Sequence, residues 1–111
     1  MCGIVGFNWK NKSVLNKMMS KMSHRGPDDL GTLITEEISL GHHRLSILDI
    51  SKAGHQPMKF ENLSIVYNGE VYNFKKIKKQ LILLGYNFTS NTDTEVILKA
   101  YHKWGSSCLD K

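Results

Sequence analysis

Cysteine is scarce in this chain, and the two present, Cys2 and Cys108, stand at opposite ends of 111 residues. No CxxC pair or regular cysteine spacing occurs, which excludes a disulfide framework and a zinc ribbon. A reducing, cytoplasmic setting fits that usage. The start of the chain has no basic segment leading into a long apolar one, so no signal peptide is expected. No apolar run approaches the roughly 20 residues that span a bilayer, so no membrane role is expected. The five histidines are not at metal-ligand spacing, and His42 and His43, adjacent on an expected strand, would face opposite ways, so no metal site is expected. Repeats, low-complexity segments and interdomain linkers are also missing.

The remaining composition is that of an ordinary globular chain, 41% hydrophobic and 23% charged, enough for one modest core. The net charge of +5 raises the question of nucleic acid. However, the densest basic run, Lys75-Lys76-Ile77-Lys78-Lys79, carries helical apolar spacing and reads as a solvated helix face. Aromatic residues do not interleave with it, as a single-strand binding face would require.

The stretch that organises the rest is Met1-Cys2-Gly3-Ile4-Val5-Gly6-Phe7. Removal of Met1 by an aminopeptidase would leave Cys2 with a thiol and a free α-amino group, a nucleophile and a base on one residue. An α-amino group has an ordinary pKa of roughly 7.7–8.0, so part of it is neutral near pH 7 and can take the thiol proton. The thiolate is the form that attacks a carbonyl. Gly3 leaves room beside the sulfur, and the apolar run after it reads as a buried strand that holds the chain end still.

Further along, Val14, Leu15, Met18, Met19 and Met22 share a helical face, with Ser13 as the expected N-cap. Ser23-His24-Arg25-Gly26-Pro27-Asp28-Asp29 breaks that helix and forms a loop, with Arg25 available for ion pairing. Thr32–Thr35 and Ile38–His42 read as a hairpin around Glu36-Glu37. The second strand runs out through Arg44-Leu45-Ser46-Ile47, and Arg44 at its end can fork onto a carboxylate. Residues 51–57 read as a loop. Leu63–Tyr67 is strand-like, and Asn68-Gly69 after it signals a tight turn in which positive φ is tolerated. Such a turn can aim a backbone N–H and an Asn amide at one point, as an oxyanion hole requires. Asn73 is placed to cap a helix through Ile77 and Leu81 that closes at Gly85. Thr92 and Glu95 form an expected capping box for a last helix with Val96, Ile97, Ala100, Tyr101 and Trp104 on one face. Asp93 then lies in its first turn, where it complements the helix dipole or meets an ammonium group.

These parts describe one reaction: a terminal nucleophile with its own base, an oxyanion donor pair, a carboxylate clamp and an ammonium acceptor. A molecule with an α-carboxylate, an α-amino group and a side-chain amide engages all of them, and glutamine is that molecule. Met-Cys-Gly-Ile-Val-Gly, His-Arg-Gly-Pro-Asp, His-Arg-Leu-Ser-Ile-Leu-Asp, Val-Tyr-Asn-Gly-Glu-Val-Tyr-Asn and Thr-Asp-Thr-Glu-Val-Ile occur in that order. The set resembles the class II glutamine amidotransferase domain of glutamine-hydrolysing asparagine synthetases, from Met1 to about Trp104. Arg-Leu-Ser-Ile is more similar to that branch than to the sugar-phosphate or phosphoribosyl amidotransferases.

The resemblance implies Cys2 as nucleophile, and Asn68 with the Gly69 N–H as oxyanion hole. It implies Arg44 on the glutamine carboxylate, backbone of Leu45 and Ile47 close by, and Glu70 and Asp93 around the substrate amino group. It implies an α+β, N-terminal nucleophile hydrolase fold, an αββα sandwich of two sheets between helix layers. Relative to that family the chain reads as partial, without further strands and without the synthetase domain whose Ser-Gly-Gly-type loop binds ATP. ATP and Mg are expected only there, and no cofactor is expected in this chain. The expected partners are glutamine and the missing parts. Open sheet edges are then expected to make the 111 residues poorly stable by themselves. An amidotransferase with another acceptor, and an inactive remnant or binding fragment, stand as alternatives.

Overall fold

The first strand follows directly on Cys2, and its run Gly-Ile-Val-Gly-Phe suits a paired, half-buried strand. In the computed structural model, which describes residues 1–111, β1 spans Gly3–Phe7 and lies antiparallel to β3 (Ser39–Arg44), with Gly3 opposite His43 and Phe7 opposite Ser39. β2 (Asp29–Ile34) pairs with the other edge of β3, giving the order β1-β3-β2. The hairpin around Glu36-Glu37 is thus present. β1 is half-buried and not fully buried: it sits at a sheet edge, with Val5 inward and Ile4 outward.

Helix α1 (Lys12–Lys21) lies on this sheet and buries Leu15 and Met19 beside Val5. Its cap is Asn11, earlier in the chain than the expected Ser13: Asn11 Oδ1 accepts the Val14 N–H at 2.9 Å. Asparagine wins because its side chain starts from extended backbone and reaches a free N–H of the first turn. Met18, expected in the core stripe, is exposed. Gly41 lets α1 sit close to the sheet, since a Cβ there would lie 2.3 Å from the Met19 sulfur and 2.9 Å from Val5 Cγ1.

The second half has its own centre. A short hairpin, β4 (Met58–Phe60) and β5 (Leu63–Ile65), turns through Glu61 at φ 52°. Helices α2 (Phe74–Leu83) and α3 (Asp93–Trp104) pack against each other through Ile77, Leu81, Val96 and Ala100. α3 also contacts both short strands. Gly85 at φ 92° closes α2 as expected. Asn73 precedes α2 but makes no cap hydrogen bond; its amide donates to the Lys111 carbonyl oxygen instead. Tyr101 is half-exposed, whereas Leu98 and Lys99 are buried, so the buried face of α3 is rotated from the expected one. Short 3-10 turns occupy Lys52–Gly54 and Gly105–Asp110. The whole is an α+β fold with two small antiparallel sheets.

Only half of the expected capping box forms. Thr92 Oγ1 accepts the Glu95 N–H at 3.3 Å. The Glu95 carboxylate does not return to the Thr92 N–H but accepts from the N–H groups of Thr89 and Ser90, at 3.0 and 2.7 Å. Its second engagement is Lys99, whose ammonium donates to Oε1 at 2.6 Å with both side chains buried. Burial opposes ionisation of Glu95, yet Lys99 and these donors together hold its carboxyl below the ordinary value. Lys99 also stands over the rings of Phe60 and Phe88, which ties α3 to the hairpin and to the segment before the helix.

Candidate active site

Cys2 stands just before the ladder of β1. Its Sγ accepts the Leu45 N–H at 3.3 Å and lies 3.6 Å from the Leu45 carbonyl oxygen. Arg25, expected as an ion-pairing group, instead donates its Nε–H to the Cys2 carbonyl oxygen at 3.3 Å. That arm passes directly over Gly3, where a Cβ would lie 3.1 Å from Arg25 Cβ. Gly26 then presses on β3, and a Cβ there would sit 2.5 Å from the Arg44 carbonyl carbon. Asp28 closes the arrangement: its N–H donates to the Arg44 carbonyl oxygen and its Oδ2 accepts the Ser46 N–H at 2.7 Å. The Arg-Gly-Pro-Asp loop therefore holds both Cys2 and the strand end opposite it.

A cavity of about 470 Å³ opens at this point, within the usual range for small-molecule sites. Cys2, Arg44, Leu45, Ile47, Asn68, Gly69, Glu70 and Asp93 all line it. All eight residues expected at the site are thus brought together, from three separate stretches of chain besides the terminus. Gln56, Tyr67, Thr94 and Asp49 are further wall residues.

Three of the eight have surroundings that differ from expectation. Arg44, expected with a carboxylate, is buried, and its guanidinium donates to the carbonyl oxygens of Ser51, at 2.8 Å, and of Asp49. Gly54 is packed against it, since a Cβ there would lie 2.0 Å from Nη2. Two of its five N–H donors are committed to those carbonyls. Gly69 does not use positive φ; the left-handed residues are Glu61, Gly85 and Gly105. What favours Gly69 is a close approach: a Cβ there would be 2.6 Å from the Tyr67 hydroxyl and would push that ring aside. Ile47, expected to lend only its backbone, has its side chain exposed at the cavity mouth.

Asp93 is 5% exposed and its Oδ2 accepts the Val71 N–H at 2.9 Å. Its other oxygen makes no hydrogen bond, and the residue lines the cavity. Asn68 and Glu70 are exposed at the wall. Asp49 is held ionised, its pKa lowered to about 2 by the Asn91 N–H and by the hydroxyl and N–H of Ser51. Burial, then the charges of Asp93 and Glu70, raise the Tyr67 hydroxyl above its ordinary value. No three His, Cys, Asp or Glu side chains gather as a metal-holding set.

Two residues escaped the sequence reading. Gln56 and His42 are buried and both bond the backbone of Tyr67, at 2.6 and 3.2 Å. Neither belongs to a spacing pattern, and Gln56 carried only the Gly-Pro punctuation around it as a signal.

The glutamine amidotransferase domain family matches residues 1–111. The chain is similar to a putative asparagine synthetase [glutamine-hydrolyzing] 2 of Methanocaldococcus jannaschii, 41% identical over 98% of this chain and 25% of that protein. It is 38% identical to asparagine synthetase [glutamine-hydrolyzing] 3 of Bacillus subtilis, over 99% of this chain and 19% of the relative. It is also 34% identical to the amidase chry2 of Gibberella zeae, over 98% and 19%. The chain thus spans about a fifth to a quarter of the length of these relatives. By this match over its whole length, and with the cavity described above, the chain belongs to the glutamine amidotransferase domain family.

Proposed function

We propose that these residues are the glutaminase part of an asparagine synthetase-like amidotransferase. The observation that carries the reading is the cavity whose wall holds the Cys2 sulfur and all seven other expected residues together. Met1 is 72% exposed, so an aminopeptidase can reach it. The freed amine takes the thiol proton, through a water, and the sulfur attacks the side-chain carbonyl carbon of glutamine. The Asn68 amide and the Gly69 N–H receive the oxyanion. Collapse of the tetrahedral adduct, with the proton returned to the nitrogen, releases ammonia and leaves a γ-glutamyl thioester, which water hydrolyses to glutamate. Arg44 takes the substrate carboxylate with its remaining donors. The other oxygen of Asp93, with Glu70, takes the substrate ammonium group, and backbone of Leu45 and Ile47 borders it.

In this reading the fold is the partial form of an N-terminal nucleophile sandwich, and ammonia passes to an ATP-activated acceptor on a synthetase domain outside these residues. ATP and Mg act there, and aspartate is the acceptor favoured by the synthetase relatives. The amidase relative makes the acceptor a matter for assay. The test is Cys2→Ala in a full-length parent that carries these residues together with a synthetase domain: glutamine hydrolysis should fall at least about a thousandfold while ATP-dependent use of free ammonia persists. Unchanged glutamine hydrolysis would overturn the reading.

A further inference from the structure

Tyr67 lies two residues beyond the end of β5, outside any strand ladder. Its backbone is nevertheless held on both sides by side chains. The Tyr67 N–H donates to Gln56 Oε1 at 2.6 Å, and Gln56 Nε2 donates to Thr94 Oγ1 at 3.2 Å. On the other side His42 Nε2 lies 3.2 Å from the Tyr67 carbonyl oxygen. A carbonyl only accepts, so Nε2 carries the proton and His42 is the donor. Gln56 is 6% exposed and His42 is fully buried. The Gln56 carbonyl oxygen is in turn seated on Gly31 of β2, where a Cβ would lie 1.9 Å from it.

These contacts bring β3 and the loop before β4 onto the two peptide units that flank the Tyr67 Cα, with the first turn of α3 behind Gln56. Asn68-Gly69 comes next in the chain, and the Tyr67 ring also lies directly against Gly69. Holding Tyr67 therefore holds the turn twice, along the chain and through the ring. We propose that Gln56, with His42, is a positioning residue that fixes the donor pair Asn68–Gly69 at the cavity. This rests on the proposed glutaminase reading. A donor pair aimed at a developing oxyanion acts only when its placement is good to within roughly half an ångström, and a misplacement of about 1 Å costs about a hundredfold in rate.

The experiment is Gln56→Met in the full chain, a change of similar length that removes the acceptor for the Tyr67 N–H. Glutaminase kcat should fall about 10- to 100-fold, with KM for glutamine within about threefold, because an oxyanion donor acts on the transition state and not on bound substrate. Alkylation of Cys2 by iodoacetamide, followed by peptide mass, should keep its rate. An unchanged kcat overturns the proposal. So does a fall accompanied by a raised KM and lost alkylation, which marks general disruption of the cavity. If Gln56→Met does not fold, the pair His42→Leu and His42→Gln decides. The Gln variant, whose amide can still donate to Tyr67, should recover at least about tenfold in kcat over the Leu variant, and equal values overturn the proposal. A wild-type chain without Cys2-dependent glutaminase sinks the parent reading, whereas an active wild type with an active Gln56→Met sinks the clamp alone.

Discussion

Replacing Lys99 by Met should destabilise the fold by about 3 kcal/mol, because it leaves the Glu95 carboxylate buried without its cation. A unit pair near 4 Å is worth about 4 kcal/mol at an effective dielectric of about 20. The carboxylate keeps the N–H groups of Thr89 and Ser90 and the Ser90 hydroxyl, at 3.0, 2.7 and 2.6 Å, and these offset part of the loss. The change also removes the ammonium from the Asn87 carbonyl oxygen and from the rings of Phe60 and Phe88. At roughly 4 °C per kcal/mol, Tm should fall by about 12 °C. Glu95→Gln alone strands the ammonium and should cost a similar amount. The double variant, with neither charge, should be less destabilised than the sum of the singles by at least about 1.5 kcal/mol. Urea unfolding of all four proteins reads this cycle. A Lys99→Met protein within about 1 kcal/mol of wild type, or a double variant at the sum of the singles, would refute the argument that the pair is mutually dependent.

Gly54→Ala should displace the Arg44 guanidinium, since the new Cβ would lie 2.0 Å from Nη2 and the side chain is pinned by the carbonyls of Ser51 and Asp49. We expect KM for glutamine to rise about tenfold or more, with stability down by about 1–3 kcal/mol, read by steady-state kinetics and a melt; an unchanged KM would remove Arg44 from carboxylate recognition. Burial lowers the His42 imidazole below its ordinary 6.5, against the opposing pull of the Tyr67 carbonyl and with Arg44 adding to the decrease. Below about pH 6.5 the unfolded chain therefore takes up a proton that the folded chain does not, and stability falls as pH drops, by up to about 1.4 kcal/mol per pH unit, until the folded His42 itself titrates. Unfolding measured from about pH 7.5 to 5 should show that slope, and His42→Gln should flatten it.

Elements with strong local chemistry were legible. α2 announces itself by Ile77 and Leu81 and is closed by Gly85; α3 is capped by Thr92; the turn between β2 and β3 is marked by Glu36-Glu37. The eight wall residues were legible because each sits in a short ordered motif. β4 was not, since Met58-Lys59-Phe60 is three residues long and is strand only through its partner β5. The reason for Gly69 was misread, because a crowding contact from Tyr67 leaves no trace in turn chemistry. Arg44 shows only a charge in the sequence, and the folded loop is what brings the carbonyls of Ser51 and Asp49 to it. Gln56 and His42 were missed for the same cause: their partner lies 11 and 25 residues away, and no local pattern encodes such a meeting.

The pairing of Gly3 with His43 leaves the chain's leading end directed over the mouth of the cavity, where Met1 already forms part of the rim. For anyone preparing the protein, a purification handle fused ahead of Cys2 would crowd that rim and, in the proposed reading, acylate the amine that takes the thiol proton. Handles therefore belong at the other terminus.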